Sequence, residues 1–552
     1  MAGRAVRRWP DPGPPRLGAV EQERPIVSSS NFSKTQSVRK SVLRTRHGVV
    51  AAQHRRAAEV GAEVLAAGGD AVDAAVAVSF AIGVVEPWMS GPGGGGAMML
   101  WRQDEGRAYA VNYGMRAPKA LDPADYPLEE NGTAGDLFPW KAVTGNRNVE
   151  GATAIAVPGT VEGAGQVHER FGKLPWADLL QPAVGLANEG LLVDWYAALI
   201  IASATRSLAR DPDAAAQYLE DGQWPTIAGW TALATKRIDM SGMAATLDRL
   251  ATAGYRDFYD GDIAAMLVKD VQAKGSSLGR DDLAAYRAVI EAPLKLAYRD
   301  AHIHALPGLT AGPTLAEVLA SLQAELAPGD QPDGAAFAAY ARALKGAYRS
   351  RLAGMGDGEA PSAPGCTTHF SIVDRHGNMV AMTQTLLSIF GSRVVSPSTG
   401  LMMNNGIMWF DPEPGKPNSL GAGKRCLMNV CPVIGEKGAR RFALGASGGR
   451  KIVSAVSQLS SFLTDFDMSL EEAFHAPRID VSGGETVIAD ETLPGAVIEA
   501  LAADQPVTTT KRTTFPYAFA CPTAVLREGG ENMGATEIMS PWGDAALERE
   551  ES

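Results

Sequence analysis

Apolar residues recur at helical spacing through most of residues 47–354 of this chain, and they alternate with polar residues at strand spacing after residue 367. Recurrence every three or four positions predicts amphipathic helices, whereas alternation predicts half-buried strands. Two Ala-rich runs predict helices at 53–66 and 71–85, and Asp70 can accept amide hydrogen bonds as the N-cap of the second. The same spacing predicts further helices at 159–171, 176–205, 242–252, 260–273, 314–326 and 333–354.

The clearest strand pattern is a hairpin, formed by "THFSIVD" and "NMVAMTQTL" on either side of the turn-like "RHGN". Because the strands of this half are bounded by helices on both sides, we expect a layered α/β or α+β body. The stretch 355–366, "MGDGEAPSAPGC", is the most obvious linker in the middle of the chain. Other elements predicted downstream are strands at 427–434, 440–446, 485–489 and 519–526, and helices at 451–465 and 469–475.

The composition is that of a globular protein, since 45% of the 552 residues are hydrophobic and 20% are charged. Residues 1–45 are rich in Pro, Ser and basic groups without sustained periodicity, and are predicted to be a flexible arm.

The net charge of -11 argues against nucleic acid as a partner, because binding to a phosphate backbone depends on clustered Lys and Arg. No apolar run is long enough for a signal-peptide core or a membrane span, so we expect a cytoplasmic protein without a membrane partner.

The Cys and His residues do not indicate a metal site. Four cysteines, at 366, 426, 431 and 521, form no CxxC pair and are too few for a disulfide framework, so we expect buried thiols. His302 and His304 would share one face of a strand, as paired metal ligands do, but a third ligand at suitable spacing is missing. We therefore expect no metal.

Two glycine-rich stretches could bind anions. Gly91, Gly93 and Gly96 match the GxGxxG pattern of dinucleotide sites, which requires a strand before it and a helix after it. Here a helix precedes and a strand-like run follows, so we expect close backbone packing, with nucleotide binding as the alternative. The second stretch, "GASGGRK" at 445–451, follows a predicted strand and opens a predicted helix. It is equally consistent with an anion or oxyanion site and with a tight turn.

Thr367 begins the hairpin directly after the linker. A threonine hydroxyl is a weak nucleophile, but cleavage of the Cys366–Thr367 bond would place a free α-amino group beside it as a built-in base. The pKa of an α-amino group is near 8, much closer to neutral than that of lysine. The simpler alternative is that Thr367 and Thr368 merely favour extended structure at the start of a strand.

Taken together, several motifs resemble those of the γ-glutamyltranspeptidase family of N-terminal-nucleophile hydrolases. They are "AGGDAVDAAVA", "SGPGGGGAMM", "LTAGPT", "TTHFSIVDRHGNMVAMTQTL", the "NN" at 404–405, "GKRCLMNVCP" and "GASGGRKI". The resemblance implies an α+β fold, a four-layer αββα sandwich, made as a precursor that cuts itself between Cys366 and Thr367. The products would be a large-subunit portion, 46–366 after the arm, and a small-subunit portion, 367–552, intertwined in one unit.

The resemblance also implies roles for four residues. Thr367 would be the nucleophile that attacks an amide carbonyl and holds the acyl group as an ester, and Thr385 would hydrogen-bond to it. Gly448 and Gly449 would supply the oxyanion-hole amides. The acyl group would then pass to water or to an amine, and this chemistry requires no cofactor. The partners implied are a small-molecule amide, the acceptor, the sister subunit and possible pairing of the processed unit as a homodimer.

The chain departs from the family where a γ-glutamyl substrate would be held. Gly114 stands where the family has an Arg for the α-carboxylate, and Arg116 lies two residues further, where it could reach the same face. The family has an Asp shortly after the residue that corresponds to Asn405. In this chain Trp409 falls in that segment. Leu387 replaces an Asn, and the pair Met428-Asn429 replaces two serines.

A substrate ammonium that faced Leu387, Trp409 and Met428 would be desolvated without a counter-charge, which costs several kcal/mol. We therefore expect an N-terminal-threonine amidohydrolase or acyltransferase for oxo-acid, dicarboxylic or apolar acyl groups. The alternatives are a genuine γ-glutamyltransferase or glutathione hydrolase, and a non-catalytic family member that acts as a binding protein.

Overall fold

A computed structural model of the chain describes residues 37–133, 140–227, 235–355, 366–482 and 484–549. Most of the predicted arm and most of the predicted linker lie outside these residues. The last three residues of the arm, Leu43–Thr45, form a strand that belongs to the body of the protein.

Most strands lie in two seven-stranded antiparallel sheets. In order across each sheet, sheet 1 contains β1, β22, β21, β17, β16, β11 and β10, and sheet 2 contains β23, β2, β12, β13, β3, β4 and β9. Their bounds are β1 Leu43–Thr45, β2 Val49–Ala52, β3 Gly95–Arg102, β4 Arg107–Tyr113, β5 Leu128–Thr133, β6 Lys141–Val143, β7 Leu191–Val193, β8 Lys236–Ile238, β9 Val289–Glu291, β10 Leu294–Tyr298, β11 Ala301–Ala305, β12 Cys366–Val373, β13 Met379–Leu387, β14 Val395–Ser396, β15 Leu401–Met402, β16 Val433–Lys437, β17 Arg440–Ser447, β18 Ile479–Asp480, β19 Val487–Asp490, β20 Val507–Thr510, β21 Cys521–Glu528, β22 Glu531–Thr536 and β23 Asp544–Leu547.

The helices cover the outer faces of the two sheets, α1–α10 on sheet 2 and α11–α15 on sheet 1. A third apolar cluster fills the space between the sheets, so the layers run helix, sheet, sheet, helix. The helices are α1 Arg55–Ala66, α2 Ala71–Val85, α3 Thr160–Phe171, α4 Trp176–Glu189, α5 Trp195–Leu208, α6 Pro212–Tyr218, α7 Ser241–Ala253, α8 Asp257–Asp260, α9 Asp262–Ala273, α10 Arg280–Ala284, α11 Gly312–Glu325, α12 Gly334–Met355, α13 Ile452–Thr464, α14 Leu470–His475 and α15 Gly495–Ala502. This arrangement confirms the predicted αββα sandwich.

Helix α2 shows why the strongest local signals predict structure well. Asp70 caps it as expected: its carboxylate accepts hydrogen bonds from the amides of Val72 and Asp73, and the Asp73 carboxylate accepts one from the amide of Asp70. Nearly every side chain of α2 is buried because it packs on sheet 2 and is covered by α1 and α4. None of the helices in the described part of the chain is both long and apolar enough to cross a lipid bilayer.

The structure corrects two predicted elements. The single helix expected at 176–205 is two helices separated by β7, because Gly190 ends α4 at a φ of 81° and Asp194 caps α5. The strand expected at 427–434 begins only at Val433. The backbone before Val433 bonds elsewhere, and the amide of Met428 donates to the carbonyl of Leu309.

Candidate active site

Thr367 lies at the start of β12, near the middle of sheet 2, and only 5% of its surface is exposed. The regular pairing of β12 with β13 is interrupted between Cys366 and Thr368, so Thr367 departs from the ladder. Its hydroxyl donates to Oγ1 of Thr385 across the two strands, at 3.3 Å. Thr385 Oγ1 also accepts a hydrogen bond from the amide of Leu387, at 2.8 Å. The structure thus brings together the predicted nucleophile and its predicted supporting residue.

Gly448 and Gly449 follow directly after β17, in the other sheet. Gly448 has a φ of 130°, and a Cβ atom there would lie 2.9 Å from the Cα of Ala520, so only glycine fits without strain. Gly449 begins a short 3-10 helix, Gly449–Lys451, that leads into α13. Gly448 and Thr367 line the same cavity. The glycine-rich turn and the predicted nucleophile therefore meet, as an oxyanion site requires.

This cavity, of about 60 Å³, has a mostly apolar lining. Its apolar wall comes from α5 and from the loops near residues 89, 389 and 515–519, with Met89, Tyr196, Ile200, Ile389, Phe515, Pro516, Tyr517 and Phe519. The polar lining consists of Gln53, Glu86, Thr367, Ser447, Gly448, Lys451 and Ser540, with Cys521 beside them. The sequence had not indicated this wall, because its members come from separate stretches of the chain.

Glu86 is a functional candidate that the sequence analysis missed. It follows α2, is 3% exposed, and accepts a hydrogen bond from the hydroxyl of Thr368 at 3.1 Å. Burial raises the pKa of Glu86 to about 7, against the hydrogen bond from Thr368, which lowers it. A carboxyl of this pKa, in the same cavity as the predicted nucleophile, can exchange protons near neutral pH. The signal that could have found it is an acid, in "VVEP", at the end of a helix whose last six residues, 80–85, are apolar or glycine.

The predicted substrate-binding residues do not line this cavity. Leu387, Trp409 and Met428 belong instead to the apolar cluster between the sheets. Asn405 is buried and its amide donates to the carbonyl of Val149 and the hydroxyl of Ser388, both at 2.9 Å. Their roles in binding a substrate stay predictions.

At Gly114, where the family has an arginine, the end of a neighbouring side chain fills the space. A Cβ atom on Gly114 would lie 2.5 Å from Cε of Met428, so Met428 occupies the space that a side chain at residue 114 would need. Arg116 is partly exposed, and its backbone pairs with Val157 and Arg425. Burial, and then the charge of Arg425, lower the pKa of Arg116. Arg116 as a carboxylate ligand stays a prediction.

Two weaker signals are now explained. As expected, helix α2 precedes the GxGxxG pattern and a strand, β3, comes after the helix; β3 begins at Gly95, within the pattern. A Cβ atom on Gly96 would lie 2.1 Å from the carbonyl oxygen of Thr383. Close packing thus accounts for these glycines.

The two histidines considered as metal ligands lie in different surroundings. His302 is exposed, whereas Nε2 of His304 lies 2.7 Å from Oε1 of Glu436. Within the described residues, no three His, Cys, Asp or Glu side chains are grouped as metal ligands. Cys426, Cys431 and Cys521 are buried free thiols, as expected.

Comparison with known proteins gives a consistent result. The family model described as gamma-glutamyltranspeptidase matches residues 57–366 and 360–541. The acylase ACY 1 proenzyme of Pseudomonas sp. (strain V22) is 34% identical over 497 residues, which cover 83% of this chain and 86% of that protein. The glutathione hydrolase proenzyme of Escherichia coli (strain K12) is 28% identical over 488 residues, 79% of this chain and 81% of that protein.

The fold also matches a solved structure. The crystal structure of cephalosporin acylase from Bacillus halodurans superposes with a TM-score of 0.81, covering 95% of this chain and 100% of that one at 24% identity. At this identity the likeness concerns the fold.

Proposed function

Because the chain belongs to the gamma-glutamyltranspeptidase family, we propose that it is a self-cleaving hydrolase or acyltransferase of amide bonds with Thr367 as its nucleophile. The relatives are acylase and glutathione hydrolase proenzymes, so this chain is an enzyme of the same broad type, made as a precursor. One observation carries the assignment of the nucleophile. Thr367, at the start of its strand, bonds to Thr385 and shares a cavity with the glycine turn at Gly448.

The same groups serve cleavage of the precursor. Oγ1 of Thr367 adds to the carbonyl carbon of Cys366, and the amide bond between the two residues breaks to leave an ester. Breaking the amide bond frees the α-amino group of Thr367, which takes up the proton of the hydroxyl. Water then hydrolyses the ester, which restores the Thr367 hydroxyl and leaves a carboxylate on Cys366. The irregular pairing at Thr367 supports this step, because a residue outside the regular ladder has the freedom to turn its hydroxyl onto the preceding carbonyl.

Turnover repeats this chemistry on a substrate. The freed α-amino group accepts the proton of the Thr367 hydroxyl while Oγ1 attacks the substrate carbonyl, and it returns the proton to the leaving amine. The amides of Gly448 and Gly449 stabilise the oxyanion of the tetrahedral intermediate. Water or an amine then takes the acyl group from the ester.

The acyl group in this proposal lacks an α-ammonium group. Leu387, Trp409 and Met428 all lie in one apolar cluster, where an ammonium would lose its hydration without gaining a counter-charge. The acylase relatives at 34% identity support this choice. The glutathione hydrolase relatives support the competing candidate, a γ-glutamyl enzyme.

The experiment compares wild-type protein with Thr367→Ala and Thr246→Val on a denaturing gel, with N-terminal sequencing of each band. We expect two wild-type fragments, one of which begins at Thr367, and an intact, inactive Thr367→Ala chain. Thr246 is a buried threonine bonded to the carbonyl of Thr399, and its variant should process normally. A wild-type chain that stays whole, or a Thr367→Ala chain that still cleaves, would overturn the proposal.

A further inference from the structure

Self-cleavage of the precursor needs a base that turnover does not need. In the processed protein, the α-amino group of Thr367 can accept the proton of the hydroxyl on the same residue. In the precursor that nitrogen belongs to the amide bond with Cys366, and its lone pair is delocalised into the carbonyl. A threonine hydroxyl is a weak nucleophile unless a base takes its proton. Another group near Thr367 must therefore act in the first step.

Among the described residues that line the cavity of Thr367, Glu86 is the only acid. It follows α2 directly and is 3% exposed. Gly448 lines the same cavity, so an acid, the predicted nucleophile and the predicted oxyanion turn border one space. The cavity, of about 60 Å³, is large enough for a water molecule to relay a proton between side chains that do not touch.

The carboxyl of Glu86 is held against β12, close to the bond that breaks. Its Oε2 atom accepts a hydrogen bond from the hydroxyl of Thr368 at 3.1 Å. Thr368 is fully buried and comes directly after Thr367 in the chain. This contact fixes the acid one residue from the predicted nucleophile.

The other titratable groups that line the cavity are less suited to accept a proton. Burial raises the pKa of both Tyr517 and Cys521, so these groups keep their protons near neutral pH. The hydroxyls of Tyr196 and Tyr517 lie 2.9 Å apart and bond to each other. Nζ of Lys451 donates to the carbonyl of Tyr517 at 2.9 Å. Glu86 is the group of this lining that can be a carboxylate near neutral pH.

We propose that Glu86 is the base that starts self-cleavage of the precursor, directly or through one water molecule. This inference rests on the proposed function. The Glu86 carboxylate takes the proton of the Thr367 hydroxyl while Oγ1 bonds to the carbonyl carbon of Cys366. The bond from that carbon to the Thr367 nitrogen then breaks, and the nitrogen takes the proton from Glu86. The step yields an ester, a free amine and the original carboxylate, and it consumes no other reactant.

The competing explanation is that Glu86 only ties the end of α2 to β12. Two variants separate the two explanations. Glu86→Gln keeps an oxygen that can accept from Thr368 but cannot take up a proton, so it preserves the tie and removes the base. Thr368→Val removes the hydrogen bond and keeps the carboxyl, so it does the reverse. Glu63→Gln, which removes an exposed acid from α1, is the control.

The experiment measures the rate of self-cleavage against pH. Full-length precursor is made by cell-free translation with labelled methionine, translation is stopped, and samples are moved to buffers from about pH 5 to about pH 9. Gels then follow the loss of the intact chain over time. We expect the wild-type rate to rise with pH and to level off above about 7, because the carboxyl of Glu86 loses its proton over this range.

The variants should change this profile in different ways. Glu86→Gln should cleave roughly 100-fold more slowly than wild type and lose the rise near pH 7. Thr368→Val should keep the rise but move its midpoint to higher pH, because the hydrogen bond from Thr368 lowers the pKa of Glu86. Glu63→Gln should match wild type in both rate and midpoint.

A Glu86→Gln precursor that cleaves at the wild-type rate, or that slows equally at every pH and keeps the wild-type midpoint, would overturn the inference and leave the proposed function standing. Limited proteolysis shows whether this variant folds. If it does not, the midpoint of Thr368→Val decides, and an unchanged midpoint would contradict Glu86 as the base. A wild-type precursor that stays intact at every pH would overturn the proposed function and this inference with it.

Discussion

Thr367 and Gly448 line one cavity, although Thr367 begins a strand of one sheet and Gly448 follows a strand of the other. The sandwich therefore brings a hydroxyl and a turn of backbone amides to the same place from opposite layers. This relationship is the geometric requirement for acyl transfer by an N-terminal threonine.

Replacement of Gly448 tests the turn. In Gly448→Ala, the φ of 130° is unfavourable and the new Cβ meets Ala520 at 2.9 Å, so the turn must move. We expect kcat to fall roughly 100-fold and self-cleavage to slow, because an oxyanion donor is displaced. Steady-state rates and a time course on gels measure both effects.

Gly423→Ala is the matched control for this variant. Gly423 also has a positive φ, of 69°, but a Cβ atom there meets nothing within 4 Å. Its stability should fall by about 1 kcal/mol with activity retained. Equal activity losses in the two variants would contradict a specific role for Gly448.

Thr385→Val tests the supporting hydroxyl. The change keeps the shape of the side chain but removes the group that Thr367 contacts at 3.3 Å. We expect kcat to fall roughly 10- to 100-fold with little change in KM, since the contact orients the nucleophile more than the substrate. Thr246→Val, which loses a buried hydroxyl elsewhere, should keep its activity. A normal kcat for Thr385→Val would remove Thr385 from the mechanism.

Glu86 should make stability depend on pH. Its pKa rises from 4.5 in the unfolded chain to about 7 in the folded protein, so the folded state binds more protons between these values. Wild-type stability should therefore fall by about 3 kcal/mol, relative to Glu86→Gln, as pH rises from below 4.5 to above 7. Below pH 4.5 the full contribution of the protonated carboxyl is present.

Denaturant unfolding of both proteins at several pH values measures this difference. Comparison of the two isolates Glu86 from groups such as His54 and His369, whose pKa burial lowers to about 3. Glu63→Gln, an exposed change on α1, should follow the wild-type curve. Parallel pH curves for wild type and Glu86→Gln would show that folding does not shift the pKa of Glu86, and would contradict the prediction.

Substrate preference tests the apolar positions. Glutaryl and γ-glutamyl 4-nitroanilides differ only in the α-ammonium group, so their kcat/KM ratio reports the cost of that charge. We expect the glutaryl compound to be favoured by roughly tenfold or more, because Trp409 lies with Leu387 and Met428 in an apolar cluster that would desolvate the ammonium. A γ-glutamyl compound that is the better substrate would contradict the proposed specificity.

Leu387→Asn offers a gain-of-function test of the same idea. Leu387 has a φ of 87°, a conformation that Asn adopts more readily than Leu. The variant should thus be tolerated, and the polar side chain should shift the ratio towards the γ-glutamyl substrate. An unchanged ratio would show that Leu387 does not face the acyl group.

The sequence alone determined the local elements and the chemistry of single residues. Helix α2, with Asp70 as its cap, and the β12–β13 hairpin were predicted correctly because their signals are local: periodicity, a capping side chain and a turn. The family motifs, which are also local, indicated Thr367, Thr385 and the Gly448-Gly449 pair. The strand predicted at 427–434 was wrong for residues 427–432, because nearby residues do not decide the backbone conformation there.

Only the tertiary structure decided which distant residues meet. The burial of Glu86 and the position of the Met428 side chain at Gly114 arise from packing between elements that lie far apart in the chain. Burial and hydrogen-bond satisfaction depend on all neighbours of a group, and these neighbours come from stretches far apart in the chain. The sequence shows which chemical groups each residue carries, whereas the packing of the layers determines which other groups surround it.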